Sequence, residues 1–579
     1  MVAGTTHLVL GLALTWPLPL HLSTHFLPGA RGDQLQFMWD IWWIRHAIVA
    51  LHEWPLFCSL QYHPTGVSLA LQDLEYFWSL VGVPLQSLGS PHTLLNLFLL
   101  MSFPLNGLAA YRLAREIPLS RSASWVASVL FAFSPYFAGR LWVGHLMLLG
   151  AFFVPLFFLQ VLRYVRQRSR GAACLAGVYW ALTAWNSYYY GAGLALVVAV
   201  VAALVLRAEW LRAKNARRWR ELTLDGALLG GVLLVMMAPM LFPAIAQLAR
   251  GDYVNIPMDY HRAEFASADL TALFLPDTTP IAEWWGWRLL GVRDWAKALQ
   301  ASYRGSPLEH TVYLGWVAWA AVGFVLVDAR RRALARPWLV LALGALVLSL
   351  GPTLFVLGHP FASGLMPARL LNELPLFSII RAPSRFACFA ALGAALTVGI
   401  ALDAVRRKRV LVPLVLGVGL LEFWPSPLVL NDGQIRHSAF YDQLAERGSG
   451  AVLDIPVDYR GSRGGGDVYL YAQTIHHRPI VGGYVSREPT YVFEPLESSP
   501  YLRAVEQRAY RDDKEMVIDR AAANDLGPML RRFGIETVIL HKDLMSAPDL
   551  DAVSASVSRV LGAPTFEDAG IRAYAVPVG

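Results

Sequence analysis

Eleven runs of mostly apolar residues divide the first three quarters of the chain, near 5–22, 92–111, 123–138, 145–162, 172–186, 188–206, 225–248, 311–327, 337–357, 383–402 and 410–424. Each is long enough, or nearly so, to cross the ~30 Å of hydrocarbon in a bilayer. Five loops between these runs, at 112–121, 163–170, 207–220, 328–336 and 403–409, hold 21 of the 49 Lys and Arg residues. Basic residues concentrate in short cytoplasmic loops, so the alternation predicts a cytoplasmic N-terminus. The segments left outside are 23–91, 139–144, 250–310, 358–382 and 425–579.

Composition agrees. Charged residues make up 16% of the chain and mean hydropathy is +0.43, whereas soluble domains carry about a quarter charged residues. The net charge of +7 is accounted for by the basic loops. It forms no converging patch, which argues against nucleic-acid binding. Cys58, Cys174 and Cys388 lie far apart and offer neither a disulfide framework nor a metal spacing. The stretch Leu8 to Leu20 lacks a basic leader and an Ala-x-Ala site, so it is expected to remain as the first helix. The fold class expected is therefore an α-helical polytopic membrane protein of about eleven helices over 1–424. A soluble, extracytoplasmic α/β domain is expected over 425–579, in an inner or plasma membrane protein.

Residues 33–52 read as an amphipathic helix, with Leu35, Met38, Trp42 and Val49 on one face and Asp33, Gln36 and Asp40 opposite. Trp39, Trp42, Trp43 and Trp54 suit the headgroup level of a membrane. Trp284, Trp285, Trp287 and Trp295 mark a similar segment in the loop 250–310, and both loops are expected to lie on the membrane surface. After Pro425, strands are expected at 451–457 and 535–542, a helix at 525–534, and a last edge strand at 572–578. The run RGSRGGGD at 460–467 reads as a flexible loop.

Several residues have chemistry to offer. Asp33 stands just outside the first helix, where it either caps the following helix or serves as a general base for an incoming hydroxyl. Asp73 and Glu75 form a second acidic pair, suited to a divalent cation, to acid–base work with Asp33 and Asp40, or to ordinary solvation. His145 and Arg140 stand at a membrane helix mouth, where ionisable groups are functional candidates or bond the helix end. Asn186, Tyr188 and Tyr189, in NSYYYG, either line a polar cleft or belong to an aromatic belt. Arg381 and Arg385, in RAPSRF, run against the usual charge bias outside the membrane. They pair a lipid phosphate bidentately or snorkel to the interface. No P-loop, dinucleotide fingerprint, nucleophile elbow or HExxH motif occurs, which argues against nucleotide-driven transport and zinc proteolysis.

The strings GDQLQFMWDIWW (32–43), YHPTGVSLALQDLEY (62–76), FSPYFAGRLWVGHLMLL (133–149), YLGW (313–316), LPLFSIIRAPSRF (374–386), LDIPVD (453–458) and HHRPIVGGYVSREP (476–489) resemble the GT-C class of membrane glycosyltransferases. They are closer still to a set of bacterial membrane proteins loosely placed in that class. The resemblance implies a polyprenyl-phosphate sugar donor used at the outer membrane face. Asp33 matches the class's acidic residue in the first outer loop, and Asp73 or Glu75 match a second acidic position. Arg381 or Arg385 would meet the lipid phosphate, with a divalent cation as a further aid. Two other readings compete. A flippase for a lipid-linked glycan would need charges in mid-helix, which are scarce here, and a non-enzymatic assembly factor would use the outer domain to bind partners.

Overall fold

In the computed structural model, residues 2–211, 216–252, 260–275, 291, 293–362, 365–374, 380–425, 427–431, 437–458, 465–506 and 516–577 are described. They fall into two compact units. One comprises 1–28, 96–238 and 255–430; the other comprises 29–95, 239–254 and 431–579.

The first unit is helical. Its centre is the helix Ala387–Asp403, buried from Ala387 to Leu402 and packed against Ala329–Ser349, Trp316–Val327 and Arg121–Ala132. Its Ala and Gly residues let neighbouring backbones approach closely. A Cβ on Gly393 would lie 2.5 Å from the Trp338 carbonyl, and one on Gly399 would lie 3.0 Å from Ala127 Cβ.

Among the described residues, five helical stretches are long and apolar enough to cross a membrane: Pro91–Glu116, Leu146–Gln167, Trp219–Arg250, Ala329–Ser349 and Pro383–Asp403. Shorter apolar helices occur at Ala3–Leu14, Tyr188–Leu204 and Trp316–Val327. Some of the expected runs form shorter helices, and several depart from the expected bounds. The run 123–138 divides at Ser134, whose extended backbone precedes Pro135 at the first position of Pro135–Trp142. The run 337–357 starts earlier, as Ala329–Ser349, and ends in a strand at Leu354–Val356.

The run 145–162 breaks between Leu149 and Phe153. Freed carbonyls inside a membrane need donors, and side chains from other helices supply them. Asn106 Nδ2 donates to Leu149 O (2.7 Å), Asn186 Nδ2 to Met147 O (3.0 Å) and Gly150 O (2.8 Å), and Tyr190 Oη to Leu148 O (2.7 Å).

The second unit is built on a four-stranded sheet. Its strands run in the spatial order Ala451–Ile455, Ile535–His541, Ile571–Ala575, Phe566–Glu567, the first pair parallel and the rest antiparallel. The strand expected at the edge, 572–578, instead lies inside, because Phe566–Glu567 pairs with its outer side. Helices Gly466–His476, Arg520–Arg532 and Ala547–Leu561 accompany the sheet.

The loop 29–95 packs with this sheet. His63 N donates to Ile480 O and Ile480 N donates to Leu60 O (2.9 Å each), while residue 480 bridges to Val452. The helix Leu35–Arg45 is buried from Leu35 to Ile44, which corrects the expectation of a surface amphipathic helix. Its indoles are core groups: Trp39 and Trp43 stack at 5.5 Å, Trp39 Nε1 donates to Gln473 Oε1 (2.7 Å), and Trp43 Nε1 donates to Pro55 O (2.9 Å). Trp39→Phe keeps most of the apolar area but leaves the Gln473 oxygen without its donor. We expect a loss of about 1–3 kcal/mol, read as a lower thermal midpoint of the full chain. Of the second tryptophan cluster, Trp284, Trp285 and Trp287 lie outside the described residues, and Trp295 is exposed.

Candidate functional site

The second unit gathers the acidic residues of the first long loop. Asp467 accepts from Arg31 Nε (2.7 Å), Arg31 Nη2 (3.0 Å) and the Gly32 amide (2.7 Å). Gly32 takes φ +79° here, a conformation open to glycine at little cost. This clamp fixes the turn that carries Asp33, half-buried, just ahead of the helix Leu35–Arg45. Glu75 caps the helix Tyr76–Leu85 in the left-handed region, φ 39° and ψ 51°, which costs a non-glycine residue roughly 1–2 kcal/mol. Such strain persists where the surroundings impose it, and functional sites are common among such places.

Asp40 and Glu75 are fully buried, Asp73 is half-buried, and Asp33 and Asp73 both act electrostatically on the buried pair. Burial pushes both the Asp40 and Glu75 carboxyls well above the usual carboxylate range. For Glu75, the neighbouring Asp40, Asp73 and Asp33 charges raise it further, while Asp40 is partly relieved by hydrogen bonds from Glu75 and Gln36. Burial among like charges thus holds a proton on this pair above the usual carboxylate range. Without that proton neither Glu75 oxygen has a donor.

No group of three or more His, Cys, Asp or Glu side chains among the described residues is placed to hold a metal ion.

The folded state binds a proton here that the unfolded chain releases once pH exceeds the ordinary carboxylate range. The site's contribution to stability is thus complete at acid pH and declines as pH rises from about 4. In Glu75→Gln, which keeps a donor toward Asp40, this decline should flatten. The thermal midpoint of the variant should gain on wild type between about pH 5 and about pH 8. Parallel curves for the two proteins would show that Glu75 is ionised in the fold.

The first unit assembles a cationic cluster. Glu309, in the turn Pro307–His310, is buried with Arg140 and Ser384. Arg140 Nη2 donates to Glu309 Oε2 at 2.5 Å, Arg385 Nη2 lies 3.7 Å from Oε1, and Ser384 Oγ donates to Oε2. Burial pushes the Glu309 carboxyl up, but the Arg140 and Arg385 guanidiniums outweigh it and hold the group down at about 2. Arg140 stands 5.1 Å over the Tyr136 ring and Arg385 4.3 Å over the Tyr189 ring.

Two guanidiniums share one carboxylate, so a net positive charge remains. Among the described residues, Arg140 Nε and Nη1 and Arg385 Nε have no hydrogen-bond partner. The Glu309 turn is itself fixed by its neighbour: His310 Nδ1 accepts from the Asp269 amide (3.2 Å), and its Nε2 bonds Arg304 O (2.9 Å).

Asp33, Asp40, Asp73 and Glu75 are brought together in one unit, and Arg140, Arg385 and Tyr189 in the other. Arg381 is half-buried. His145 is buried, and so is Asn186, which together with Arg140 had been expected to line a cleft. Arg140 is sealed against Glu309, and Asn186 spends its amide on the broken helix. Tyr188 stacks on Tyr189 at 4.5 Å. Glu309 was missed from the sequence. The available signal was a lone carboxylate just ahead of YLGW at a membrane helix mouth, a position where charge needs a partner.

No curated protein matches the sequence. The fold is similar to the arabinofuranosyltransferase AftD from mycobacteria, with a TM-score of 0.55 at 17% identity, covering 100% of this chain and 40% of that one. A mutant of that protein gives a TM-score of 0.54 at 17% identity, covering 100% and 41%. The oligosaccharyltransferase from Archaeoglobus fulgidus overlays more loosely, with a TM-score of 0.47 at 12% identity, covering 93% of this chain and 69% of that one. The chain thus spans about two fifths of the arabinofuranosyltransferase, and its fold is that of a GT-C-like membrane protein. The profile of a domain of unknown function, DUF6311, matches residues 38–424, and the chain belongs to that family.

Proposed function

We propose that this protein is a GT-C glycosyltransferase that moves a sugar from a polyprenyl-phosphate-linked donor to an acceptor hydroxyl outside the cytoplasmic membrane. In this reading the chain crosses the membrane about eleven times with its N-terminus in the cytoplasm, and 425–579 forms an extracytoplasmic α/β domain. The observation that carries the proposal is the convergence of Asp33, Asp40, Asp73 and Glu75 in the loop after the first apolar helix.

The reaction is an inverting displacement. The acceptor oxygen, its proton passing to the Asp33 carboxylate, forms a bond to the anomeric carbon. The bond from that carbon to the phosphate oxygen breaks, and its electron pair leaves with the polyprenyl phosphate. Positive charge develops on the sugar ring in such a transition state, and a field of carboxylates favours it. Polyprenyl phosphate is a stable anion and needs no general acid. Arg385, whose Nε is uncommitted, or Arg381 meets its charge. Arg140, locked to Glu309, supports Arg385.

The test is direct. Full-length protein in liposomes is given a panel of radiolabelled polyprenyl-phosphate sugars, a pentofuranose among them, with glycan acceptors. Label should leave the lipid for a water-soluble or acceptor-bound product. Label that changes leaflet while staying on its lipid would establish a flippase instead.

A further inference from the structure

A cavity opens in the first unit, at the end of the helix Ala387–Asp403 remote from Arg385. That helix has 17 residues and so spans about 25 Å. Near its C-terminal end it forms, with Trp316–Val327 and Lys408–Phe423, a cavity of about 320 Å³ whose lining residues are all Ala, Val, Leu or Phe. Ala321, Phe324, Val398, Leu402, Leu411 and Val415 are among them. A pocket of this volume falls at the small end of ligand sites. With no polar group on its walls, it suits a hydrocarbon chain and little else.

The rim supplies the second observation. The Arg331 guanidinium stands 4.4 Å over the ring of Phe324, a wall residue. Lys408 pairs with Asp403 at 2.7 Å, and Arg331 reaches Asp328 at 4.0 Å. Beside Val405 and Leu411, both wall residues, Arg406, Arg407 and Arg409 are exposed. None of the three has an ion-pair partner among the described residues. An apolar slot beside three uncompensated guanidiniums matches one chemistry: a hydrocarbon chain ending in an anionic phosphate.

We propose that this cavity binds one acyl chain of an anionic glycerophospholipid, its phosphate held by Arg406, Arg407 and Arg409. The slot takes part of a single chain, which favours a glycerophospholipid over the much longer polyprenyl phosphates. The site is separate from the carboxylate cluster and stands whether or not sugar transfer is found.

The experiment is native mass spectrometry of the full-length protein, titrated with phosphatidylglycerol or with phosphatidylcholine of the same acyl chains. Phosphatidylglycerol should be retained with at least about five-fold preference. Replacing Arg406, Arg407 and Arg409 together by Gln should abolish that preference, each charge contributing about five-fold, and as exposed changes these leave the packing intact. Ala401→Trp, which fills the slot, should lower retention of both lipids. Equal binding of the two lipids, or a preference untouched by the triple change, overturns the proposal. So does displacement of phosphatidylglycerol by an equal amount of polyprenyl phosphate, which would assign the slot to the longer lipid.

Discussion

Asp33→Asn should lower sugar transfer by roughly 10²- to 10⁴-fold, the usual contribution of a positioned proton acceptor, while the thermal midpoint of the protein stays close to wild type. Asn preserves the size of the side chain and removes only the charge and basicity. The clamp that positions the turn, Arg31 and the Gly32 amide on Asp467, is untouched. Asp33 is half-buried and accessible, whereas Asp40 and Glu75 are sealed and share a proton. Of these four carboxyls it is Asp33 that combines exposure with a rigid support. Full activity in the Asn variant would remove the general base from the account.

The second large effect is on stability. Glu309→Ala should destabilise the first unit by about 3–5 kcal/mol, because it leaves Arg140, wholly buried, without a counter-charge. The reference variant is Glu309→Gln, which keeps a hydrogen-bond acceptor for Ser384 and Arg140 but not the charge, and should fall between the two. Arg140→Met in the Glu309→Ala background should recover part of the loss, since an apolar pair of similar volume is tolerated where a single buried charge is not. Thermal unfolding in nanodiscs reads all of these. A loss under about 1 kcal/mol in Glu309→Ala would mean that water reaches Arg140 and the cluster is open.

Much of the helical framework was legible because apolar runs and basic loops carry it directly. Ala387–Asp403 falls within a residue or so of the expected 383–402 run after its short opening turn. What periodicity does not show is where a run breaks. The interruption at Gly150–Phe152 depends on Asn106, Asn186 and Tyr190 from other helices, and no local pattern records that partnership.

The surface-helix reading of 33–52 failed for a related reason. The alternation of Trp with Asp and Gln looked amphipathic, but Trp39 finds its partner in Gln473, 434 positions later, so both faces are buried. The same long-range pairing determined the site. The acidic quartet was visible as four separate residues, and the Arg140–Arg385 pair as two. Glu309, the carboxylate that joins the arginines, went unnoticed because its loop matched no motif. The raised Asp40 and Glu75 carboxyls follow from burial among other carboxylates, which only the folded chain reveals.

The central claim is that Asp33 works outside the cytoplasmic membrane. It is tested by Asp33→Cys in a chain where Cys174, the one native thiol not buried, is replaced by Ala. A membrane-impermeant maleimide added to intact cells should modify position 33, and added to inverted vesicles it should not. Modification only in inverted vesicles would place the carboxylate cluster on the cytoplasmic side and contradict the account.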